Sequence, residues 1–186
     1  MTDKIDLLGR ALAATSRVVH HTHPDQYAAP TPCSDWNVRS LLNHLVAGNT
    51  FFAARARGDK ADMSVWAHDH LGGDDPATRY DDTAKTALAT WHTPGATDRT
   101  ATLPSGGPGP HYIDMYLLEA LLHGWDLATA TGQDRSLDDE VVRAVTDTWT
   151  GTVPDEIRGM IFGPAVPAPP DAPALDRLAA YLGRTP

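Results

Sequence analysis

Apolar residues recur one helical turn apart over several stretches of this chain. The first stretch, residues 3–21, places them at Ile5, Leu8, Leu12 and Val19. Such a period predicts an amphipathic helix with one face towards a core. The HPDQY segment that follows contains Pro24, which ends the predicted helix.

A second helical stretch follows a Pro-rich segment, AAPTPCSDW, which we expect to be extended. Ser34 or Asp35 offers a side-chain oxygen to the free amides at the helix start. The predicted helix runs from about Asp35 to Arg57. Its apolar stripe consists of Val38, Leu41, Leu42, Leu45 and Phe52.

The middle of the chain is less regular. From Gly58 to Asp82, glycines and Pro76 interrupt any period, so we expect a loop with at most a short helix. Asp82 can cap a third helix that reaches about Trp91. The next segment, TPGATDRTATLPSGGPGP, contains enough glycine and proline to leave room for only a short extended piece.

Two further helices are predicted after this segment. One begins near His111 or Tyr112 and continues to about Thr131, where Gly132 is a natural stop. The next spans about Leu137–Thr150, and the SLDDE sequence places acidic residues in its first turn.

The C-terminal part begins with a proline-dense segment, FGPAVPAPPDAP, which favours an extended strap over the surface. A last short helix is expected around Ala174–Leu182. Helices separated by long loops, with no convincing strand alternation, indicate an all-α protein. The predicted architecture is a four-helix bundle with additional short helices and a Pro-rich C-terminal strap, in a single domain over residues 1–186.

Composition and charge narrow the classes of function. Hydrophobic residues make up 41% of the chain, which is enough to build a core. The net charge of −9 and the lack of a basic stripe argue against nucleic acid as a partner, and against reading SDWNVRSLLNHLVAGN as a helix-turn-helix. The N-terminus has no signal-like apolar run, and no stretch approaches the ~20 apolar residues of a membrane span. We therefore expect a cytoplasmic protein that binds neither membrane nor nucleic acid.

The stretch LLEALLHGWDLATATGQ, residues 117–133, has polar side chains within an apolar run. Glu119 and His123 are four positions apart and share one helix face. A carboxylate among leucines has a heavy desolvation cost, which a divalent cation bound to both side chains would offset. An intrahelical hydrogen bond between them is the alternative. Asp126 flanks the same face and could orient His123, act as a base, or form a structural salt bridge.

The second predicted helix supplies a third candidate ligand, His44 of LLNHLVAGN. Gly48, one turn further on, removes a side chain that would fill the adjacent space, so we interpret it as room for a ligand. Two histidines, one carboxylate and an open position suit Zn²⁺, and the ligand types leave Ni²⁺, Mn²⁺ and Fe²⁺ open. The implied chemistry is Lewis-acid activation.

Three other residues, Cys33, Trp36 and Trp125, could take part in the chemistry. Cys33 is the sole cysteine, so an internal disulfide and a cysteine-built zinc site are excluded. Its place before a helix start could activate the thiol, but no histidine adjoins it in the sequence, and we expect a small buried side chain. Trp36 and Trp125 are expected to fill core rather than bind substrate.

The remaining histidines with some functional potential form two groups. His20, His21 and His23 are expected to cap carbonyl groups or face water. His68 and His70, in WAHDHLGG, are expected at the surface, with a lid over the cleft as the alternative.

Three segments occur here in a characteristic order: TPCSDWNVRSLLNHLVAGN, LLEALLHGWDLATATGQ and FGPAVPAPPDAPALDRLAAYLGR. Together they resemble the short actinobacterial members of the DinB-like superfamily, which are related to the metal-binding domain of mycothiol-dependent maleylpyruvate isomerase. The resemblance implies a four-helix bundle whose divalent metal is held by His44, Glu119 and His123. It also implies mycothiol as a cosubstrate, bound to the metal as a thiolate. Maleylpyruvate itself is not expected as substrate, because the isomerase has an additional C-terminal domain where this chain has a strap and one helix.

Two functional hypotheses follow. The first is a metal-dependent transferase or isomerase that joins a small-molecule thiol to a small electrophile, with Asp126 as the candidate catalytic residue. The second is a non-catalytic helical bundle that binds a metal or a small molecule, or associates through its helices. A homo-oligomer stays open under either hypothesis.

Overall fold

A computed structural model describes residues 3–34, 36–60, 62–153 and 157–186 of the chain. Within these ranges the helices are α1 Lys4–His20, α2 Val38–Arg57, α3 Pro76–Trp91, α4 Tyr112–Thr131, α5 Asp139–Trp149 and α6 Ala174–Tyr181. Two 3₁₀ turns occupy Pro24–Gln26 and Met63–Ala67, and two short strands are β1 Thr100–Thr102 and β2 Pro108–His111. The fold is therefore all-α, as the sequence predicts.

The first four helices form the bundle. Helix α1 packs against α3 and α4, and α2 packs against the same two helices from the other side. Helix α5 then packs on α4 and α1, while α6 packs on α5. The largest fully buried side chains are Trp91, Trp125, Tyr80 and Tyr116. The predicted four-helix core with added short helices is thus confirmed.

Strands β1 and β2 form a small antiparallel hairpin in the Gly- and Pro-rich segment. Thr100 pairs with His111 and Thr102 with Pro108, with an irregularity between the two pairs. This hairpin corresponds to the predicted short extended piece. Because β2 ends at His111, the N-cap residue of α4, the hairpin leads directly into that helix.

The start of α2 differs from its prediction. The cap is Asn37, whose side chain accepts a hydrogen bond from the Ser40 amide, and the helix begins at Val38. Ser34 does not cap it, and Asp35 lies outside the described residues. The loop before the helix is held by its own hydrogen bonds, since the Thr31 amide donates to the carbonyl of Trp36. The chain therefore cannot turn helical until after Trp36.

Helix α3 begins six residues before the predicted Asp82 cap. Asp75 is the actual cap, because its carboxylate accepts a hydrogen bond from the Thr78 amide. Pro76 occupies the first helical position, where its fixed φ angle suits the helix and its missing amide hydrogen is not needed. The interpretation of Pro76 as an interruption is therefore wrong, because this proline is a helix-start signal.

The C-terminal elements agree more closely with the sequence. Helix α4 ends at Thr131, and Gly132 follows it in the left-handed conformation, with φ of 69°. The segment before α6 has no regular secondary structure and is exposed or half-buried, which fits a surface strap, while its extended conformation stays a prediction. Asp176 of α6 accepts a hydrogen bond of 2.7 Å from the indole nitrogen of Trp125 in α4. This buried bond fixes α6, and with it the residues that follow, relative to the bundle.

Helix α5 offers a test of capping and charge. Asp138 caps it by accepting bonds from the amides of Glu140 and Val141, and it also accepts bonds from Arg10 of α1. The bonds from Arg10 lower the pKa of Asp138, so its carboxylate stabilises the fold above the ordinary aspartate pKa, and this contribution is lost as the pH falls below it.

We expect Asp138→Ala to lower the free energy of unfolding by about 1 kcal/mol through loss of the cap. Asp138→Asn is the matched control, because asparagine caps as well but lacks the charge. Urea denaturation at a series of pH values should show wild type and Asp138→Asn converging as the pH falls through the acidic range. A stability difference between them that does not change with pH would contradict this account.

Across the part of the chain that the structure describes, no helix combines the length and the apolar character needed to cross a membrane.

Candidate metal centre

The structure brings His44, Glu119 and His123 together, as the sequence and the resemblance predict. Helix α4 places Glu119 and His123 one turn apart, and α2 faces them with His44. One ligand atom from each of the three side chains lies within 4.8 Å of the others. Nε2 of His44 is 2.6 Å from Oε1 of Glu119, and Nε2 of His123 is 3.5 Å from Oε2 of the same carboxylate. The carboxylate therefore sits between two imidazoles.

The carboxylate of Glu119 is buried between the two imidazoles. Its Oε1 forms an ion pair with Nε2 of His44 at 2.6 Å. Burial would raise the pKa of Glu119, but the electrostatic interactions and hydrogen bonds with His123 and His44 outweigh it and hold that pKa well below its usual range. A buried, ionised carboxylate that faces two imidazole nitrogens offers the donor atoms that a divalent cation binds.

The two ring nitrogens of His123 face different groups. Nε2 points towards Glu119, while Nδ1 lies 2.9 Å from Oδ2 of Asp126. A cation at Nε2 would displace the proton from that nitrogen, while Nδ1 keeps its hydrogen and donates it to Asp126. Although burial disfavours the charged ring, Glu119 and the hydrogen bonds to Asp126 and Cys33 raise the pKa of His123 well above its ordinary value. A carboxylate behind the ring of a metal-binding histidine is a common arrangement in proteins.

Asp126, the predicted catalytic residue, lies behind His123 and is fully buried. Its Oδ2 accepts hydrogen bonds from His123, from the thiol of Cys33 and from Arg184, at 2.9, 3.2 and 3.3 Å. Burial would raise the pKa of Asp126, but these donors and charges lower it, so the group is a carboxylate. Such contacts suit orientation of His123 rather than direct attack on a substrate.

Cys33 differs from its prediction. Its side chain is only half-buried, and Sγ lies 4.0 Å from Nδ1 of His123 and 3.2 Å from Oδ2 of Asp126. The absence of a neighbouring histidine in the sequence is misleading, because His123 is 90 residues away along the chain. Folding places the thiol at the candidate site.

Arg184 is a residue that the sequence reasoning misses altogether. It follows α6, and its guanidinium lies 3.3 Å from both Sγ of Cys33 and Oδ2 of Asp126. Burial would lower the pKa of Arg184, but the negative charge of Asp126 and the neighbouring Cys33 raise it, so the group is a fixed cation. No sequence pattern marks this arginine, since its partners are 58 and 151 residues away.

A second group of potential metal ligands consists of Cys33, His123 and Asp126. Arg184 already places its charge within 3.3 Å of two of these three side chains. Two cations in one small space repel each other, so a metal ion is disfavoured on this side of the His123 ring. The geometry therefore favours the group of His44, Glu119 and His123.

His44 lies between two tryptophans. The ring centre of Trp36 is 4.2 Å from that of His44, and the ring of Trp66 stacks on His44 with 4.7 Å between ring centres. Trp36 was expected to fill core, but it is half-buried and lines a cavity above the site, whereas Trp125 is fully buried as predicted. The two indoles limit rotation of His44 and shape the approach to it.

The cavity has a volume of about 670 Å³. Glu119, His123, Cys33 and Arg184 are among its polar lining residues, and most of the other lining residues are apolar. This volume falls in the usual range for small-molecule sites.

Comparison with known proteins identifies the relationship. Residues 8–128 match the family described as the mycothiol maleylpyruvate isomerase N-terminal domain. The chain belongs to this family. Two proteins of Mycobacterium tuberculosis, the uncharacterized protein MT0763 of strain CDC 1551 and the uncharacterized protein Rv0738 of strain H37Rv, are each 33% identical to it over 95% of this chain and 94% of their own length. No solved structure matches the chain significantly.

The family match covers only part of the candidate site. The match includes Cys33, His44, Glu119, His123 and Asp126. It ends at residue 128 and so leaves out two segments of the cavity wall, residues 157–164 and residues 182–184, the second of which contains Arg184. The candidate ligands therefore lie within the family region, while much of the wall that a substrate would touch lies outside it.

The space beside Gly48 is occupied by protein side chains, so its interpretation as room for a ligand stays a prediction. A Cβ atom at this position would lie 3.3 Å from Oε1 of Glu119 and 3.8 Å from the ring of Trp66. The space that glycine leaves is thus used by the candidate ligand Glu119 and by the cavity wall.

The other histidines lie outside both candidate ligand groups of the described residues. His20 pairs with Asp81 at the surface, His21 contacts the carbonyl of Arg17, and His23 is exposed. These positions agree with the expected capping and solvent-facing roles. His68 is exposed as expected, while His70 is half-buried with Nε2 2.7 Å from the carbonyl of Val65.

Proposed function

We propose that the protein binds a divalent metal, preferably Zn²⁺, through His44, Glu119 and His123, and uses it to transfer a mycothiol-type thiol to a small electrophile. The main support is the convergence of two imidazoles on the buried carboxylate of Glu119, with one ligand atom of each of the three side chains within 4.8 Å of the others. Two histidines and one carboxylate leave at least one coordination position open, as catalytic zinc sites require. Membership of a mycothiol-related family supports the choice of thiol.

When bound at this position, a divalent cation would supply Lewis acidity and lower the pKa of a coordinating thiol, so that the thiolate predominates at neutral pH.

The side chains around the ligands have separate roles in this proposal. Asp126 accepts the hydrogen of Nδ1 and so holds the His123 ring with Nε2 towards Glu119. Arg184 offsets the charge of Asp126, which allows this carboxylate to stay ionised while buried. Trp36 and Trp66 flank His44 and exclude water from its ring faces. Asp126 is thus proposed as a positioning residue.

A non-catalytic binding function is the second candidate, and one observation favours it. Among the described residues that line the cavity, the titratable side chains are the three candidate ligands, Cys33 and Arg184. Asp126 does not line it. The site therefore lacks an obvious free general base, and a metal-binding or small-molecule-binding bundle would need none.

Cobalt substitution separates the two functions. After loading with Co²⁺, the protein is titrated with mycothiol, and we expect a sulfur-to-cobalt charge-transfer band that is absent in Glu119→Ala. The zinc-loaded protein should then conjugate mycothiol to monochlorobimane, and a chelator should abolish this activity. His68→Ala, at an exposed histidine outside the ligand group, is the matched control and should behave as wild type.

Each outcome has a defined meaning. Cobalt binding without a thiol-dependent band would favour the non-catalytic function. A band without conjugation of any electrophile would limit the protein to thiol binding. Conjugation that survives complete chelation would overturn the proposed role of the metal.

A further inference from the structure

The cavity above the candidate ligands is bounded by two apolar walls. One wall comes from the α2 side and includes Trp36, Phe51 and Trp66. The opposite wall comes from the C-terminal part of the chain and includes Ile161, Phe162 and Leu182. A ligand that reaches the floor of the cavity must therefore pass between two apolar surfaces.

The rim of the cavity exposes unusually large apolar side chains. Met63, Met160 and Ile161 are 65%, 72% and 56% exposed, and they are the large exposed hydrophobic side chains of the described residues. All three line this one cavity. Exposed apolar side chains that converge on a concave site mark a surface that is covered when a ligand binds.

Without a metal ion, the cavity offers no unpaired positive charge to an anionic ligand, because His44 and His123 on its floor face the carboxylates of Glu119 and Asp126. Arg184 is the sole lysine or arginine among its described lining residues. Its guanidinium donates to both oxygens of Asp126 and to the carbonyl of Leu182, so its charge is already offset. Glu119 adds a negative charge to the floor. A carboxylate that entered would lose its hydration without gaining a cationic partner from the walls.

Arg55 is a second buried cation near this region. Its guanidinium carbon lies 5.7 Å from the ring centre of Phe51 and 5.4 Å from that of Tyr112. Two of its nitrogen atoms are buried without hydrogen-bond partners. Phe51 lines the cavity but Arg55 does not, so this charge is not part of the cavity surface.

The C-terminal wall is fixed by a close backbone contact. Gly183 has a φ of 89°, and a Cβ atom there would lie 2.6 Å from Cα of Gly163. Glycine is therefore required for the two wall segments, residues 157–164 and 182–184, to meet. This wall lies outside the region of the family match, so it can set a specificity that the family region does not.

We propose that the cavity accepts neutral, apolar electrophiles, with an aromatic or alkyl body between the α2-side tryptophans and the segment 157–164, and that it discriminates against carboxylated ones. The identity of the reacting thiol rests on the proposed function. The binding preference of the cavity is independent of it. It implies that the cavity walls contribute no charge partner to a dicarboxylate such as the maleylpyruvate of the family's name.

Binding of a matched pair of unreactive ligands tests the preference directly. 1,3-Dinitrobenzene and 3,5-dinitrobenzoate share the same ring and differ by one carboxylate. Their dissociation constants are measured by displacement of the neutral fluorophore N-phenyl-1-naphthylamine from metal-free protein, since a bound Zn²⁺ would itself attract the carboxylate. We expect the neutral compound to bind at least about tenfold tighter, because the walls give the desolvated carboxylate no partner.

Two variants test whether the missing charge on the cavity wall causes the preference for the neutral compound. Ile161→Lys adds a cation at an exposed rim position and should reduce or reverse the preference. Ala89→Lys adds the same charge on an exposed position of α3, which contributes no described residue to the cavity lining, and should leave the preference unchanged. Arg55→Met shows whether the buried arginine takes part.

The possible results are distinct. Equal or tighter binding of 3,5-dinitrobenzoate would overturn the proposal. If that binding is then lost in Arg55→Met, Arg55 is the cation that binds the carboxylate. Failure of both compounds to bind would also overturn it, because the cavity would then not be a ligand site. If the neutral compound is preferred but no thiol chemistry occurs, the binding inference stands and the proposed enzymatic function fails.

Discussion

Glu119→Ala is expected to lower the affinity for Zn²⁺ on the order of a hundredfold, because the binding free energy of a protein zinc site, about 10–16 kcal/mol, is shared among a few ligands. Glu119 is central to the group, with one oxygen 2.6 Å from Nε2 of His44 and the other 3.5 Å from Nε2 of His123. Competition with a chromophoric chelator measures the affinity. His44→Ala should cause a loss of similar size.

His68→Ala is the control for histidine loss. His68 is exposed and outside both candidate ligand groups, so its removal should leave zinc affinity at the wild-type level. A second readout is thermal unfolding, since the same zinc concentration should raise the melting temperature of wild type and of His68→Ala clearly more than that of Glu119→Ala. Equal losses in His44→Ala and His68→Ala would show that the metal binds elsewhere.

Asp126→Asn is expected to lower the free energy of unfolding by about 3–5 kcal/mol, the usual effect of removing one partner of a buried ion pair. Asp126 is fully buried, and the largely buried guanidinium of Arg184 lies 3.3 Å from its Oδ2. Asparagine keeps the shape but leaves the arginine without a counter-charge. Chemical denaturation of metal-free protein measures this effect.

The double variant Asp126→Asn/Arg184→Met separates the two roles of Asp126. Removal of the unpaired guanidinium should restore most of the lost stability. Zinc affinity should nevertheless stay about 10–100-fold below wild type, because the carboxylate that orients His123 is still absent. Arg184→Met alone is the matched control and should reduce zinc affinity much less. If the double variant recovers full zinc affinity, Asp126 has a structural role and does not position His123.

The local arrangement of the ligands on α4 can be predicted from the sequence for a specific reason. Helical periodicity relates residues three and four positions apart, so it places Glu119, His123 and Asp126 on one face of the helix without any long-range information. The capping signals are less decisive, because Asp82, Ser34 and other short polar residues compete for the same role. The tertiary loop contacts before α2 and the proline at the start of α3 decide those boundaries.

His44 marks the limit of this local reasoning. A polar residue beside an apolar stripe indicates a cleft, but periodicity alone does not say which helix lies opposite. The resemblance of three ordered segments supplies that pairing, and the packing of α2 against α4 agrees with it. The choice of metal ligands therefore depends on both a local pattern and a family pattern.

The amino-acid sequence by itself determined the helices, the all-α bundle and the face of α4 that bears Glu119 and His123, because these depend on contacts within a few residues. Only the tertiary structure placed Cys33 and Arg184 beside Asp126 and joined Trp36, Trp66 and residues 157–164 around one cavity. Cys33 and Arg184 are 151 residues apart, and such a contact is set by how whole helices and the strap pack, which no local period encodes.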